Sequence, residues 1–341
     1  VRAAVYYNNH DLRLEERPRP APGPGELLVR IEASGICGSD LMEWYRRPKA
    51  PLVLGHEVAG VVEEAGEGVT AFRPGDRVVT THHVPCGTCR YCRADHHSVC
   101  DSLRTTTFDP GGFAEFVRLP AVNVERGTFR LPDGVSFEEA SFVEPLACVL
   151  RGQRKAGVRA GDAVLVLGGG LSGLLHLQAA RAAGADPVLV TDLHPFRLDL
   201  ARKLGATAAV DARGDVPAAV REHNAGRGAD RVLVTAAAPA ALEQAFRSAD
   251  RGGTILFFAP TPPEATIPLP LWNVWRDEVT LVTSYSGPPA DMQAALECIE
   301  AGRVDVASMI THRMSLAEIG DGFRLVAEAG ASMKVIIRPQ R

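Results

Sequence analysis

The pattern of apolar and polar positions divides the 341-residue chain into two parts of different texture. Up to about residue 150, short β-branched stretches lie between Gly and Pro: Leu27 to Ile31, Glu57 to Val62, Asp76 to Thr80 and Ala114 to Leu119 read as strands. From about Gly161, apolar strands alternate with helical runs: Ala163 to Leu167 then Leu171 to Ala183, Pro187 to Thr191 then Pro195 to Lys203, Arg231 to Thr235 then Ala240 to Ala249. That alternation predicts a parallel sheet with helices on both faces. After Gly287 a helical run, Asp291 to Ala301, leads into a mixed tail that ends in a strand over Met333 to Ile337. The Pro-rich stretch from Pro260 to Pro270 reads as an ordered loop rather than a linker.

An apolar share of 46% with 23% charged residues, over a length sufficient for two domains, is the composition of a compact soluble protein. The net charge is −4 with acids and bases interspersed, which argues against nucleic-acid or membrane-surface binding and for small-molecule chemistry. The segment VRAAVYYNNHDL lacks the features of a signal peptide, and the chain has no run of about 18 apolar residues that could span a bilayer, so a cytoplasmic location is expected.

Of seven cysteines, Cys86, Cys89, Cys92 and Cys100 stand with two, two and seven residues between them. Four thiolates over so short a loop match closed tetrahedral zinc, with each sulfur about 2.3 Å from the ion and no position open to substrate. This predicts a structural zinc. Cys37, Cys148 and Cys298 are scattered, and the whole set fits metal ligation in a reducing compartment better than a disulfide framework.

The strand ending at Leu167 runs directly into Gly168, Gly169, Gly170, Leu171, Ser172 and Gly173, followed at once by a helical pattern. Gly168 permits the tight turn, Gly170 lets the backbone approach a pyrophosphate, Gly173 lets helix pack on sheet, and the helix N-terminus offers free amides. Asp192, at the end of the next strand, is placed to accept hydrogen bonds from the adenosine ribose hydroxyls and to repel a 2′-phosphate, which favours NAD over NADP. Arg197 nearby packs on the adenine or softens that preference.

A catalytic zinc needs about three protein ligands of mixed type and one open position. Cys37, in GICGSD, and His56, in LGHE, supply two. The third is a carboxylate, either Glu57 or Glu144 in FVEPLACV, and the two could exchange. Adjacent residues of a strand point to opposite faces, so His56 and Glu57 share one ion only across a turn or bulge, for which Gly55 provides.

In its strings GICGSD, LGHE, GEGVTAFRPGDRVV, CGTCRYC with Cys100, GGFAEFV, VEPLACV and VLGGGLSG, the chain resembles the zinc-dependent medium-chain dehydrogenases over essentially its whole length. Within them it is similar to the sorbitol, threonine and glucose dehydrogenase branch. The resemblance implies an α/β plus β fold: a chaperonin-10-like β-barrel catalytic domain over residues 1–150 and 287–341, and a Rossmann coenzyme domain over 151–286, with the active-site cleft between them. It implies two zinc ions per chain, one catalytic and one structural, and NAD. Cys37, His56 and Glu144 match positions around the catalytic zinc, Glu57 a carboxylate able to replace or bridge to water there, and the four clustered cysteines the structural site. Ser39 matches a hydroxyl that passes the alcohol proton on, and Asp40 a carboxylate that supports the zinc histidine.

One departure is Met42, where many relatives carry a histidine as the next proton carrier; a ribose hydroxyl, water or Glu43 would have to complete the path. Trp44, Tyr45, Arg46 and Arg47 follow as an aromatic wall and anion contact, or as a surface loop. The implied reaction is hydride transfer from a secondary alcohol bearing a vicinal hydroxyl, a polyol or sugar, to NAD. A threonine-type or other aminoalcohol dehydrogenase and a general secondary-alcohol dehydrogenase are the alternatives. Intact Cys37, His56 and Glu144 with Asp192 argue against a zinc-free NADPH-dependent reductase, and intact Ser39 against a non-catalytic nucleotide-binding protein. The segment Glu278 to Tyr285 resembles the edge that pairs between subunits in relatives, so a homodimer or homotetramer is expected.

Overall fold

A computed structural model describes residues 1–341, which fall into two compact units. The first comprises Val1–Ala147, Ser286–Gly302 and Val306–Arg341; the second comprises Cys148–Tyr285 and Arg303–Asp305.

The centre of the first unit is the strand Leu27–Gly35, in which Leu27, Leu28, Val29, Ile31 and Ala33 are fully buried. Strict alternation fails here because two irregularities of register, at Leu28/Val29 and Ile31/Ala33, re-aim the side chains. The strand pairs antiparallel with Glu57–Ala65, Phe116–Leu119 and the C-terminal strand Lys334–Arg338. The sheet continues from Glu57–Ala65 through Arg77–Thr80 to Thr128–Arg130, and from Lys334–Arg338 to Ile310–Ser315. A smaller sheet joins Asp11–Glu16, Arg2–Asn8 and Leu52–Val53. Two apolar clusters fill this unit, one around Tyr6, Phe113, Phe323 and Ile337, the other around Leu27, Val29, Val62 and Val117. Each such fully buried large side chain contributes roughly 1.5–3 kcal/mol relative to exposure.

The second unit holds a six-stranded parallel sheet in the order Ala208–Asp211, Val188–Asp192, Val164–Leu167, Ala229–Val234, Ala249–Phe257, Thr280–Thr283. In chain order that is 3-2-1-4-5-6, the Rossmann arrangement, in which a dinucleotide lies where the strand order reverses. Val164, Leu165, Val166 and Leu167 are all fully buried, as a strand covered on both faces requires. The helices Leu171–Ala182, Pro195–Lys203, Val216–His223 and Pro239–Ser248 alternate with the strands. Residues 260–270 contain no helix or strand. No helix is long and apolar enough to cross a membrane.

Candidate active site

Strands Leu27–Gly35 and Glu57–Ala65 are registered with Gly35 opposite Glu57. Cys37, two residues beyond the end of one strand, and His56, one residue before the start of the other, therefore emerge at the same end of the ladder. Gly55 adopts φ +92°, and a Cβ there would lie 2.7 Å from the amide nitrogen of Phe113, so only glycine fits this break in the extended chain. Beyond the break, donor atoms of Cys37, His56 and Glu57 all lie within 4.8 Å of one another.

Glu57 is fully buried and forms an ion pair with Lys334, whose ammonium also donates to the Ile36 carbonyl at 3.4 Å. One Glu57 oxygen is thus engaged, while Oε1 is buried with no hydrogen-bond partner. Asp40, fully buried, accepts the Cys37 amide at Oδ2 (3.1 Å) and places Oδ1 3.4 Å from His56 Nδ1. Burial opposes ionisation of Asp40, but His56, Arg46 and the Cys37 amide hold its carboxyl below the usual range. Burial likewise opposes charge on His56, and Asp40 with Cys37 overrides it, holding the imidazole well above its ordinary value.

The Ser39 hydroxyl donates to Cys37 Sγ at 3.4 Å and accepts from the Arg46 guanidinium at 3.3 Å. Arg46 also donates to the Ser39 carbonyl (3.0 Å) and stands 3.6 Å from Asp40. Trp44 and Tyr45 are exposed and pack on each other, Lys49 lies over the Tyr45 ring, and Arg47 is exposed.

Glu144, 5% exposed in the first turn of the helix Val143–Ala156, stands with His82 and His83, and donor atoms of these three lie within 4.8 Å of one another. The histidines follow the strand Arg77–Thr80, which pairs with Glu57–Ala65. The His82 ring centroid is 3.6 Å from that of His83 and 4.9 Å from that of His56, so the two donor groups adjoin. Burial, reinforced by the nearby histidines and Arg46, pushes His82 well below its ordinary value and His83 down to about 3. Sequence reasoning passed over His82, His83 and Lys334. The HisHis pair just before the first clustered cysteine was the available signal; for Lys334 there was none.

Among the clustered cysteines the sulfur separations are 3.5 Å for Cys89–Cys92, 3.6 Å for Cys100–Cys86 and 4.0 Å for Cys86–Cys92. Four sulfurs on a tetrahedron of 2.3 Å bonds are about 3.8 Å apart. Amides of Thr88 and Cys89, with the Thr88 hydroxyl, bring the Cys86 thiol down to about 5, whereas burial and its thiol neighbours push Cys92 up to about 12. The cluster therefore has the spacing of a ZnS4 centre. The sulfur, nitrogen and carboxylate donors at Cys37, His56 and Glu57, with the orphaned Glu57 Oε1 beside them, fit a zinc ion with an open position.

In the second unit Gly168 takes φ +108°, and a Cβ at Gly173 would lie 3.0 Å from Thr235 Oγ1. Gly170 precedes the first turn of Leu171–Ala182, in which Leu171 and Ser172 are partly exposed. Asp192, 7% exposed, accepts the Gly169 amide at Oδ2 (2.8 Å) and the His194 amide at Oδ1 (2.9 Å). Arg197 is 3.5 Å from Asp192, with its guanidinium beside Gly170. Glycine turn, acid and arginine thus converge at the carboxyl ends of the strands.

Family models for the alcohol dehydrogenase GroES-like domain and for the zinc-binding dehydrogenase match residues 23–133 and 173–301. Sorbitol dehydrogenase of Bacillus subtilis (strain 168) is 30% identical over 100% of this chain and 98% of its own length. A solved structure described as a zinc-binding dehydrogenase of Sinorhizobium meliloti 1021 bound to NADP has a TM-score of 0.89 at 32% identity, covering 99% of both chains. The 2R,3R-butanediol dehydrogenase of Bacillus subtilis has a TM-score of 0.86 at 28% identity, again over 99% of both chains. A GroES-like unit and a Rossmann unit carrying these donor sets place the chain in the zinc-binding, medium-chain alcohol dehydrogenase family, whose chemistry is zinc-dependent alcohol oxidoreduction.

Proposed function

We propose that this enzyme oxidises a secondary alcohol with a neighbouring hydroxyl, a polyol or related vicinal diol, to the ketone, with NAD as hydride acceptor. The observation that carries this reading is the convergence of Cys37, His56 and Glu57 donors within 4.8 Å, with the Ser39 hydroxyl 3.4 Å from Cys37 Sγ. Cys37, His56 and Glu57 are the residues to hold the catalytic zinc, and Cys86, Cys89, Cys92 and Cys100 the structural one. The preference for a vicinal diol follows the sorbitol and butanediol dehydrogenases to which the chain is similar. Residues 1–150 with 287–341 form the catalytic domain and 151–286 the coenzyme domain.

Zinc, when bound, supplies Lewis acidity strong enough to lower the pKa of water from about 15.7 to about 7, and NAD supplies the hydride acceptor. Asp40 orients the His56 ring through Nδ1 and leaves Nε2 for ligation. Ser39 takes the alcohol proton. Arg46, on the other side of the Ser39 hydroxyl, carries donors only and cannot receive that proton, so it holds Ser39 in place while water or a ribose hydroxyl carries the proton away. Asp192 receives the adenosine ribose and Gly168, Gly170, Leu171, Ser172 and Gly173 the pyrophosphate, with Arg197 flanking both.

The strand Thr280–Thr283 is the outer edge of its sheet, and Trp272 and Trp275 just before it are 68% and 67% exposed. An unpaired edge beside exposed indoles is a surface for a second copy of the chain, and self-association through it follows.

The test is NADH formation by purified, zinc-loaded protein with polyols, sugars, aminoalcohols and simple secondary alcohols, beside a matched NADP series. Preference for vicinal diols with NAD is expected. Preference for aminoalcohols would move the enzyme to the threonine-type class, and turnover with NADP alone would overturn the role given to Asp192. Metal content of Glu57→Gln and Glu144→Gln then assigns the third ligand: loss of the catalytic ion in the first is expected.

A further inference from the structure

We infer that Arg46 receives an anionic group of the substrate, so that the alcohol oxidised is a polyol carrying a carboxylate or a phosphate; the inference rests on the vicinal-diol reading above and narrows it. The short helix Glu43–Arg46 turns the chain back after Met42, whose carbonyl accepts the Tyr45 and Arg46 amides at 2.9 and 3.0 Å. Arg46 therefore folds over Ser39, donating from Nε to the Ser39 carbonyl at 3.0 Å and from Nη2 to the Ser39 hydroxyl at 3.3 Å. Its side chain is 16% exposed, sheltered from bulk water yet open to a ligand. A guanidinium carries five N–H donors in a planar fork, and Ser39 takes two of them, so the Nη1 side is left for a carboxylate or phosphate to engage with two oxygens.

The charge around the guanidinium points the same way. Asp40, 3.6 Å from Arg46, also faces His56 Nδ1 at 3.4 Å, and Glu57 is matched by Lys334, so neither carboxylate is given over to Arg46. Arg47 and Lys49 follow, both exposed, with Lys49 Nζ 3.6 Å and the Arg46 guanidinium 4.9 Å from the Tyr45 ring centroid. Against these three cations, residues 43–50 hold a single acid, Glu43. A cation beside Ser39 opposes the passage of a further proton through that hydroxyl, and an anion seated on Arg46 offsets the excess charge. The same field repels an ammonium, which disfavours aminoalcohols. With the alcohol oxygen about 2.7 Å from the Ser39 hydroxyl and the anion about 2.8 Å from Arg46, the two ends of the substrate stand no more than roughly 9 Å apart, within the span of a hexose-length chain.

Matched substrates test the inference: glucitol with gluconate and glucitol 6-phosphate, and galactitol with galactonate, each with NAD and the zinc-loaded full-length protein. Arg46→Met and Arg46→Lys are assayed beside it, with thermal unfolding and zinc content as checks on folding. The unaltered protein should show kcat/KM at least about tenfold higher for an acid or the phosphate than for its neutral partner, the size of one charge-assisted hydrogen bond. Arg46→Met should abolish that preference, chiefly through KM, and Arg46→Lys, which keeps the charge without the fork, should restore part of it. Whichever anion is preferred identifies the group as carboxylate or phosphate. Preference for the neutral polyols, or an Arg46→Met variant that slows acid and polyol alike, would overturn the inference and leave Arg46 with Ser39 alone. Equilibrium binding of gluconate and glucitol, followed calorimetrically without NAD, gives a readout independent of turnover. Should no member of the panel be oxidised, the vicinal-diol reading fails by itself; gluconate binding weakened at least about tenfold in Arg46→Met, with glucitol binding unchanged, still upholds the anion contact, and equal binding of gluconate to both proteins removes it.

Discussion

Lys334 and Glu57 form an ion pair in which neither side chain has any solvent exposure. Such a pair recovers its desolvation cost only while both charges are present, so removal of one partner is far more damaging than removal of both. Lys334→Met should destabilise the protein by about 3–5 kcal/mol. The double variant Lys334→Met/Glu57→Gln should recover a large part of that loss. Denaturant unfolding of the two single variants and the double one measures the coupling, and additive losses would show that the pair is not coupled.

The same pair constrains Gly35. A Cβ on Gly35 would run into Glu57 Oε2 first and would lie 2.5 Å from Lys334 Cε and 2.7 Å from its Nζ, inside any tolerated contact with both partners. Gly35→Ala must therefore push the ammonium off Glu57, at the roughly 1–3 kcal/mol typical of overpacking and with loss of the ion pair besides. The expected outcome is a lower melting temperature together with reduced zinc content, whereas Gly38→Ala, where a Cβ meets nothing within 4 Å, should leave both unchanged. Equal behaviour of the two variants would refute this account.

Neither Lys334 nor Gly35 announces itself along the chain. Glu57 and Lys334 are 277 residues apart, and only the pairing of Lys334–Arg338 with Leu27–Gly35 brings them together. The parts legible in advance are those whose chemistry is local: the spacing of Cys86, Cys89, Cys92 and Cys100, and the glycine turn followed within twenty residues by Asp192. Cys37 with His56 was legible through resemblance, and Gly55 marked the break that turns His56 and Glu57 together. The helix Val143–Ala156 went unread because Pro145 looks like a breaker, yet in the first turn its missing N–H costs nothing. The small sheet of Arg2–Asn8, Asp11–Glu16 and Leu52–Val53 went unread because its last strand is two residues long and is defined only by its partner.

The cysteine cluster makes a separable prediction. Cys100 is 1% exposed and packs with Cys92 and Leu103, so its sulfur is an interior element of a loop that has little other core. Cys100→Ser should release one zinc per chain and make the segment between residues 86 and 106 susceptible to limited proteolysis. The Cys37-containing site should keep its own ion. Loss of both ions at once would mean that the loop and the active site are one cooperative unit.

His176 sets a pH dependence in the coenzyme unit. Its ring is fully buried, edge-on to Phe258, with Nδ1 facing the Gln153 amide at 3.3 Å, and burial lowers it to about 3. In the unfolded chain it titrates near 6.5, so below that pH the unfolded state takes up a proton that the native state refuses. The stability associated with neutral His176 is complete above about pH 6.5 and is lost progressively as the pH falls toward about 3. Within that window His176 contributes up to about 1.4 kcal/mol per pH unit to the slope of stability against pH. His176→Gln, which keeps a hydrogen-bond acceptor but cannot titrate, should flatten the slope by that amount between pH 4 and 6, as measured by denaturant unfolding; an unchanged slope would show that the ring is protonated in the native state.

Asp192 bears on coenzyme choice more narrowly than its position alone suggests. Both of its oxygens are held by backbone amides, those of Gly169 and His194, and Arg197 stands 3.5 Å away, so a charged carboxylate is fixed in place with a cation beside it. On the role proposed for Asp192, a 2′-phosphate brought to this point would meet the carboxylate's repulsion and the guanidinium's attraction together, and their balance would set the choice between NAD and NADP. Asp192→Asn keeps an oxygen for the Gly169 amide while removing the charge, so it should shift the ratio of kcat/KM for NAD over NADP toward NADP by at least about tenfold, or 1.4 kcal/mol, and lower the melting temperature, because its NH2 group then faces the His194 amide donor. Arg197→Met should act in the opposite sense, lowering turnover with NADP more than with NAD. If both variants move the ratio the same way, the carboxylate and the guanidinium are not opposing groups at the ribose, and coenzyme discrimination resides elsewhere in the turn.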